Sequence, residues 1–194
     1  LPRDRAFLAY YDPAPALPAG ARALVATRAR TLYIPGLYAG PLLGAALLMV
    51  RARRMQVVMD GNSYESARLS MPRVRRAVSA VDVLMPNADE ACRLTGEVDL
   101  LRALGRLAER TPCVVVKDGA GGAYAAEAGE MAYAPALPVT PVDTTGAGDA
   151  FDAGFLAARL EGKPLAECLS WGNVVGGLST TALGGTGRPV TAGE

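Results

Sequence analysis

Gln56-Val57-Val58-Met59-Asp60 sets three consecutive apolar side chains between two polar ones. A strand with one wet face alternates polar and apolar residues. An unbroken apolar run this short reads as a strand covered on both faces, the habit of parallel sheets. The pattern recurs at Cys113-Val114-Val115-Val116-Lys117 and over residues 81–85, and a shorter β-rich run at residues 31–35 precedes them. Helical stretches lie between. Residues 41–54 begin with a proline, which suits a first helical turn. Asn87 opens a helix that Gly96 closes, and Asp99 caps another running through Arg110. Residues 122–126 and 130–134 flank Gly129 as a hairpin. Residues 148–160 form a helix stopped by Gly162 and Pro164, and Pro164 starts a last helix to about Leu183. Residues 7–11 read as one more strand before Pro13, Pro15 and Pro18. Strand–helix alternation with buried strands predicts an α/β fold with a mainly parallel sheet, helices on both faces, and no internal domain boundary. Ligands of such sheets sit beyond the carboxyl ends of the strands. That singles out Asp60, Asn87, residues 117–122 and residues 143–149.

Composition narrows the function. The 194 residues are 51% hydrophobic and 20% charged, a globular balance. A net charge of +1 gives no broad electrostatic footprint for nucleic acid. There is no histidine, so acid–base chemistry falls to carboxylates, lysine, tyrosine or cysteine. Cys92, Cys113 and Cys168 are odd in number and form no CxxC pattern; a reduced, cytoplasmic setting suits them, and no imidazole is present to activate a thiol. Residues 32–50 carry no charge over the length of a membrane span, but Pro35, Gly36, Gly40, Pro41 and Gly44 break them into strand, turn and helix. No membrane partner is expected. The opening Leu1-Pro2-Arg3-Asp4 has no signal-peptide layout and reads as the middle of a longer protein.

The chemistry concentrates in Val142-Asp143-Thr144-Thr145-Gly146-Ala147-Gly148-Asp149-Ala150-Phe151. A small-residue loop runs into a helix here. Unobstructed N–H groups and the positive end of the helix make an anion site suited to a phosphoryl group. Asp149, in the first turn, can accept a proton from a substrate hydroxyl while those donors hold the phosphoryl. From GxGD alone, a helix start with an acidic residue placed for the dipole remains an equal reading. The longer run closely resembles the C-terminal signature of the PfkB, or ribokinase-like, carbohydrate kinases.

Other segments agree with that resemblance in order and spacing. Asn87-Ala88-Asp89-Glu90, followed by Leu94-Thr95-Gly96, resembles the family's NxxE motif, which organises magnesium and phosphates. One helical turn separates Asn87 from Glu90, so both can face one site, and Mg²⁺ prefers oxygen ligands with retained waters. Residues 114–123 resemble the strand and glycine turn beside ATP; the GK[ST] ending of a Walker A loop is absent. Asn173 aligns with a position that flanks the nucleotide. Asp143 and Thr145 resemble positions that bind a monovalent cation such as K⁺ in some members. Asp60-Gly61-Asn62 resembles the family's D-x-N segment, with Tyr64 where many sugar-acid kinases carry arginine.

The resemblance implies a three-layer ribokinase-like fold over residues 1–194, incomplete at its N-terminal side, with residues 1–20 a remnant of the lid. It implies transfer of the ATP γ-phosphoryl to an alcohol of a sugar or polyol. Asp149 would be the base, and Gly146, Ala147 and Gly148 the anion hole. Asn87 and Glu90 would organise Mg²⁺, while Asn87, Lys117, Gly119, Gly122 and Asn173 would line the nucleotide site. A nucleoside kinase, or a nucleotide-binding remnant without catalysis, are the alternatives. An uncovered sheet edge would favour a homodimer or looser self-association.

Overall fold

In the computed structural model, the described residues are 28–40, 42–63 and 65–185, with isolated positions at 22, 26, 187 and 190. The readings made for residues 1–20 and for Tyr64 lie outside them.

Six strands form one sheet: β1 (Thr31–Ile34), β2 (Gln56–Asp60), β3 (Val83–Met85), β4 (Cys113–Lys117), β5 (Ala123–Glu127) and β6 (Glu130–Ala134). Their spatial order is the chain order. The first four are parallel, in registers such as Leu32 on Val57, Val58 on Val83 and Val83 on Cys113. The last two are antiparallel, with Val115 opposite Ala125 and Ala125 opposite Ala132. Among the described residues six continuous helices accompany them: α1 (Leu42–Ala52), α2 (Pro72–Val78), α3 (Ala88–Thr95), α4 (Leu100–Ala108), α5 (Ala147–Leu160) and α6 (Leu165–Ser179).

Period-2 geometry sends alternate strand residues to opposite faces, and the two cores follow that split. Val57, Met59, Leu84, Val114 and Val116 pack with Leu47, Val74, Leu94, Leu104 and Leu107 from α1 to α4. Val58, Val83, Met85, Cys113 and Val115 pack with Phe151, Phe155, Cys168 and Leu169 from α5 and α6. The central strands are therefore buried on both faces, as their unbroken apolar runs require, and the fold is three-layered α/β. Each fully buried large apolar side chain contributes roughly 1.5–3 kcal/mol.

Two elements depart from the sequence expectation. α2 is an additional short helix; Pro72 starts it, and Val74, Ala77 and Val78 form its buried face. The last helix stops at Ser179 rather than near Leu183. The backbone tightens there, the Thr180 N–H donating to the Gly177 carbonyl (3.2 Å) and the Thr181 N–H to that of Leu178 (3.1 Å). The hydroxyls of Ser179, Thr180 and Thr181 also donate to the carbonyls of Gly176, Gly177 and Leu178.

Candidate active site

The carboxyl ends of β2, β3 and β4 are extended by loops and helix starts that bring the singled-out residues together. The Asp143 carboxylate organises the approach to α5. One oxygen accepts from the Thr145 N–H (2.9 Å) and hydroxyl (2.8 Å), the other from the Gly184 N–H (3.0 Å). The Val142 and Asp143 N–H groups both donate to the Thr180 carbonyl (2.7 and 3.1 Å). Gly146 then takes φ +74°, the left-handed region, with Gly185 so close that a β-carbon would lie 3.0 Å from its Cα. Only glycine meets both conditions cheaply. The chain enters α5 with no side chain capping it, whereas Asn87 caps α3 and Asp99 caps α4. The first-turn N–H groups of Gly148 and Asp149 have no intrahelical acceptor within reach, so this helix start is left open. Asp149 is exposed beside it.

Next to this loop lies a cavity of about 290 Å³, lined by Lys117, Gly119, Gly122, Ala147, Gly148 and Asn173 among others. Four of the five residues read as nucleotide-lining thus meet Ala147 and Gly148 at one cavity. Gly119–Gly121 forms a single 3₁₀ turn, and Gly122 follows at φ +90°, where a β-carbon would sit 2.3 Å from the Ala134 carbonyl oxygen. Asn173 uses its amide differently from a ligand contact. Its Nδ2 donates to the Ala134 and Pro135 carbonyls (2.9 and 3.0 Å), which holds the chain leaving β6 as a cavity wall.

Asn87 is the fifth, outside that lining. It pairs with Lys117 through an isolated parallel bridge, and the Lys117 N–H donates to the Pro86 carbonyl (3.0 Å). Its side chain and that of Glu90 close a reciprocal capping box, each bond 2.9 Å. Glu90 Oε2 takes the Asn87 N–H, and its second oxygen has no hydrogen-bond partner among the described residues. Burial pushes the Glu90 carboxyl up, against the Asn87 N–H that pulls it down. Among the described residues no three His, Cys, Asp or Glu side chains form a metal-binding cluster. The donor set fits a hard cation held mostly by phosphates and water, with one carboxylate oxygen to spare.

Behind Gly148 sits a group that the sequence only half revealed. Lys117 Nζ donates to Asp60 Oδ1 (2.8 Å) and Asp152 Oδ1 (2.9 Å), while the Tyr33 hydroxyl donates to Asp152 Oδ2 (2.9 Å). A β-carbon on Gly148 would lie 3.6 Å from Lys117 Nζ. Burial pushes the Asp152 carboxyl up to about 7, outweighing Lys117. Burial also opposes charge on Lys117, but Asp152 and Asp60 together lift it above its ordinary value. The Tyr33 phenol is held well above its ordinary value, first by burial and then by Asp152. Asp152 and Tyr33 carried no motif. The available signal was a carboxylate three residues past Asp149, between Phe151 and Phe155 on the apolar side of a helix. The cysteines stay out of the chemistry: burial pushes the Cys113 thiol to about 12, and raises Cys92 and Cys168 as well.

Residues 12–191 match the pfkB family carbohydrate kinases. The chain belongs to that family. Among relatives, a fructokinase of Klebsiella pneumoniae is 38% identical over 117 residues, 56% of this chain and 38% of the relative. A cytidine kinase of Thermococcus kodakarensis is 36% identical over 131 residues, 64% of this chain and 47% of the relative. The chain therefore spans less than half the length of these curated pfkB relatives. An E. coli protein described as a ribokinase II, solved in complex with ATP and Mg²⁺, superposes with a TM-score of 0.70 at 27% identity, covering 82% of this chain and 55% of that one. The fold is thus that of the pfkB kinases. No helix among the described residues is long and apolar enough to cross a membrane.

Proposed function

We propose that this chain is the nucleotide-binding and catalytic portion of an ATP-dependent kinase that phosphorylates an alcohol group of a sugar or polyol. The observation that carries the reading is the uncapped start of α5, with Asp149 in its first turn and the glycine-walled cavity beside it. The γ-phosphoryl would lie against the Gly146–Gly148 segment. The open N–H groups there face charge that develops on the transferring oxygens, and being fixed in advance they need no reorganisation. Asp149 would accept the proton of the attacking hydroxyl. Lys117, Gly119, Gly122 and Asn173 would border the nucleotide. Asn87 and Glu90 would orient a bound Mg²⁺, which neutralises charge on the phosphates. Asp143 and Thr145 already cross-tie the loop through their side chains, and a K⁺ ion would meet the loop through oxygens nearby. The three unpaired cysteines suit a reduced cytoplasm.

The test is ADP formation by the purified protein with MgATP and a panel of sugars, polyols and nucleosides. Slow sugar-dependent turnover is expected, below the roughly 1–100 s⁻¹ of ordinary kinases. Turnover with nucleosides alone would support the second reading, which the cytidine kinase relative favours. Nucleotide binding with no turnover on any acceptor would leave a binding module and sink the kinase reading.

A further inference from the structure

Asp152 lies one helical turn beyond Asp149 on α5, and both of its carboxylate oxygens are occupied. Tyr33 on β1 donates to one and Lys117 on β4 to the other, each at 2.9 Å. The same ammonium crosses the end of β3 to reach Asp60 on β2 at 2.8 Å, and that Asp60 oxygen also accepts the Gly61 N–H at 2.8 Å. The side chains of Lys117, Asp60 and Asp152 are 12%, 13% and 2% exposed. A buried ion group of this kind is a weak way to stabilise a fold. Desolvation consumes most of its Coulomb attraction, and well-packed neutral side chains often hold a core equally well. It is, however, directional: charge-assisted hydrogen bonds fix angles as well as distances. Three strand ends here determine how α5 is rotated about its axis and how far it slides along the sheet. Asp149 and the open N–H groups of its turn move with Asp152 as one rigid piece of helix.

We propose that Asp152, tied to β1 by Tyr33 and bridged to Asp60 by Lys117, is a positioning residue that sets the aim of Asp149 and of the phosphate-binding N–H groups. This rests on the kinase reading. A small error in such aim has a large effect, since a displacement of about 1 Å at a reacting group can cost roughly 100-fold in rate.

The experiment compares three forms of the 194-residue chain: the natural one, Asp152→Asn, and a neutral form combining Asp60→Asn, Lys117→Met and Asp152→Asn. Amide hydrogen exchange is followed across residues 146–155, with thermal melting and steady-state kinetics on the acceptor found by the panel. Asp152→Asn is expected to speed exchange at Ala150 and Phe151, and to lower kcat roughly 10–100-fold with KM for ATP within about threefold. The neutral form is expected to regain the melting temperature but not kcat; its KM for ATP is free to change, because Lys117 borders the nucleotide cavity. Recovery of kcat along with melting would make the group a brace only and overturn the proposal. So would unchanged exchange in Asp152→Asn, or a loss confined to KM for ATP, which would mark a binding role. If the natural chain phosphorylates no acceptor, the kinase reading falls, and the exchange measurement by itself decides the positioning.

Discussion

At the scale of single residues, the duties proposed for Asp149 and Glu90 are separable. Asp149 is exposed at an open helix start, and its side chain makes no hydrogen bond among the described residues. Asp149→Asn should lower kcat by roughly 10²–10⁴-fold, the usual share of general-base catalysis, while ATP affinity measured by calorimetry stays near the natural value. Near-natural turnover in that variant would remove Asp149 from the role of base. In the proposed mechanism Glu90 would act on a bound Mg²⁺ through the oxygen that the capping box leaves over. Glu90→Gln should raise the Mg²⁺ concentration needed for half-maximal turnover more than it changes KM for the acceptor. A magnesium titration that superposes on the natural curve would refute that assignment. The surroundings of both residues were legible because their neighbours are local: Gly146 to Gly148 for one, Asn87 for the other. Those of Asp152 were not. Its partners stand 119 residues away at Tyr33 and 35 away at Lys117, and no spacing along a chain encodes such a meeting.

At the scale of elements, the strands read true because burial on both faces leaves a mark in composition, as in Val57 to Met59 and Val114 to Val116. Helix starts read true where a side chain does the capping, as at Asn87 and Asp99. Helix ends were harder. Apolar residues continue past Ser179 through Ala182 and Leu183, so the pattern alone runs on, whereas the helix ends in a tightened turn with three hydroxyls bonding backward. The α2 helix was missed because seven residues with three arginines show little periodicity, although Val74, Ala77 and Val78 follow the i, i+3, i+4 rule. The α3 cap offers a test at this scale. Asn87→Ala removes the acceptor for the Glu90 N–H and should cost about 1 kcal/mol, read as a lower urea midpoint. Glu90 keeps its own bond, since residue 87 still offers its backbone N–H, so the magnesium titration should shift only if the Asn87 side chain itself serves the metal. A stability loss without any metal effect would separate the cap from the site.

For the whole molecule, pH should act through the buried carboxyls. Asp152 rises from an ordinary 3.8 to about 7 in the folded chain, and Glu90 moves in the same sense. The folded state then holds protons that the unfolded state has released. Stability from these groups is full below about pH 4 and is lost as pH climbs toward 7. Denaturation midpoints at pH 5 and pH 8 should show this decline, and Asp152→Asn should flatten it; an unaltered slope would deny Asp152 that titration. The free edge of the sheet acts at the same scale. Among the described residues β1 pairs on one side only, with Leu32, Tyr33 and Ile34 half-buried, and such an edge invites another strand. Light scattering of the purified chain should give a mass above that of one copy, and a monodisperse monomer would answer otherwise.

The agreement between spatial and sequence order in the sheet bears on how the protein is made. During synthesis each strand emerges beside the one that left the ribosome just before it, so the sheet can grow by accretion without waiting for a distant partner. The two helices that cover the Val58, Val83 and Val115 face are translated after all six strands. Until they arrive the nascent sheet has one greasy side bare, a surface for chaperones to hold. The phosphate loop is born with those helices, so competence for chemistry comes only after all six strands have been laid down.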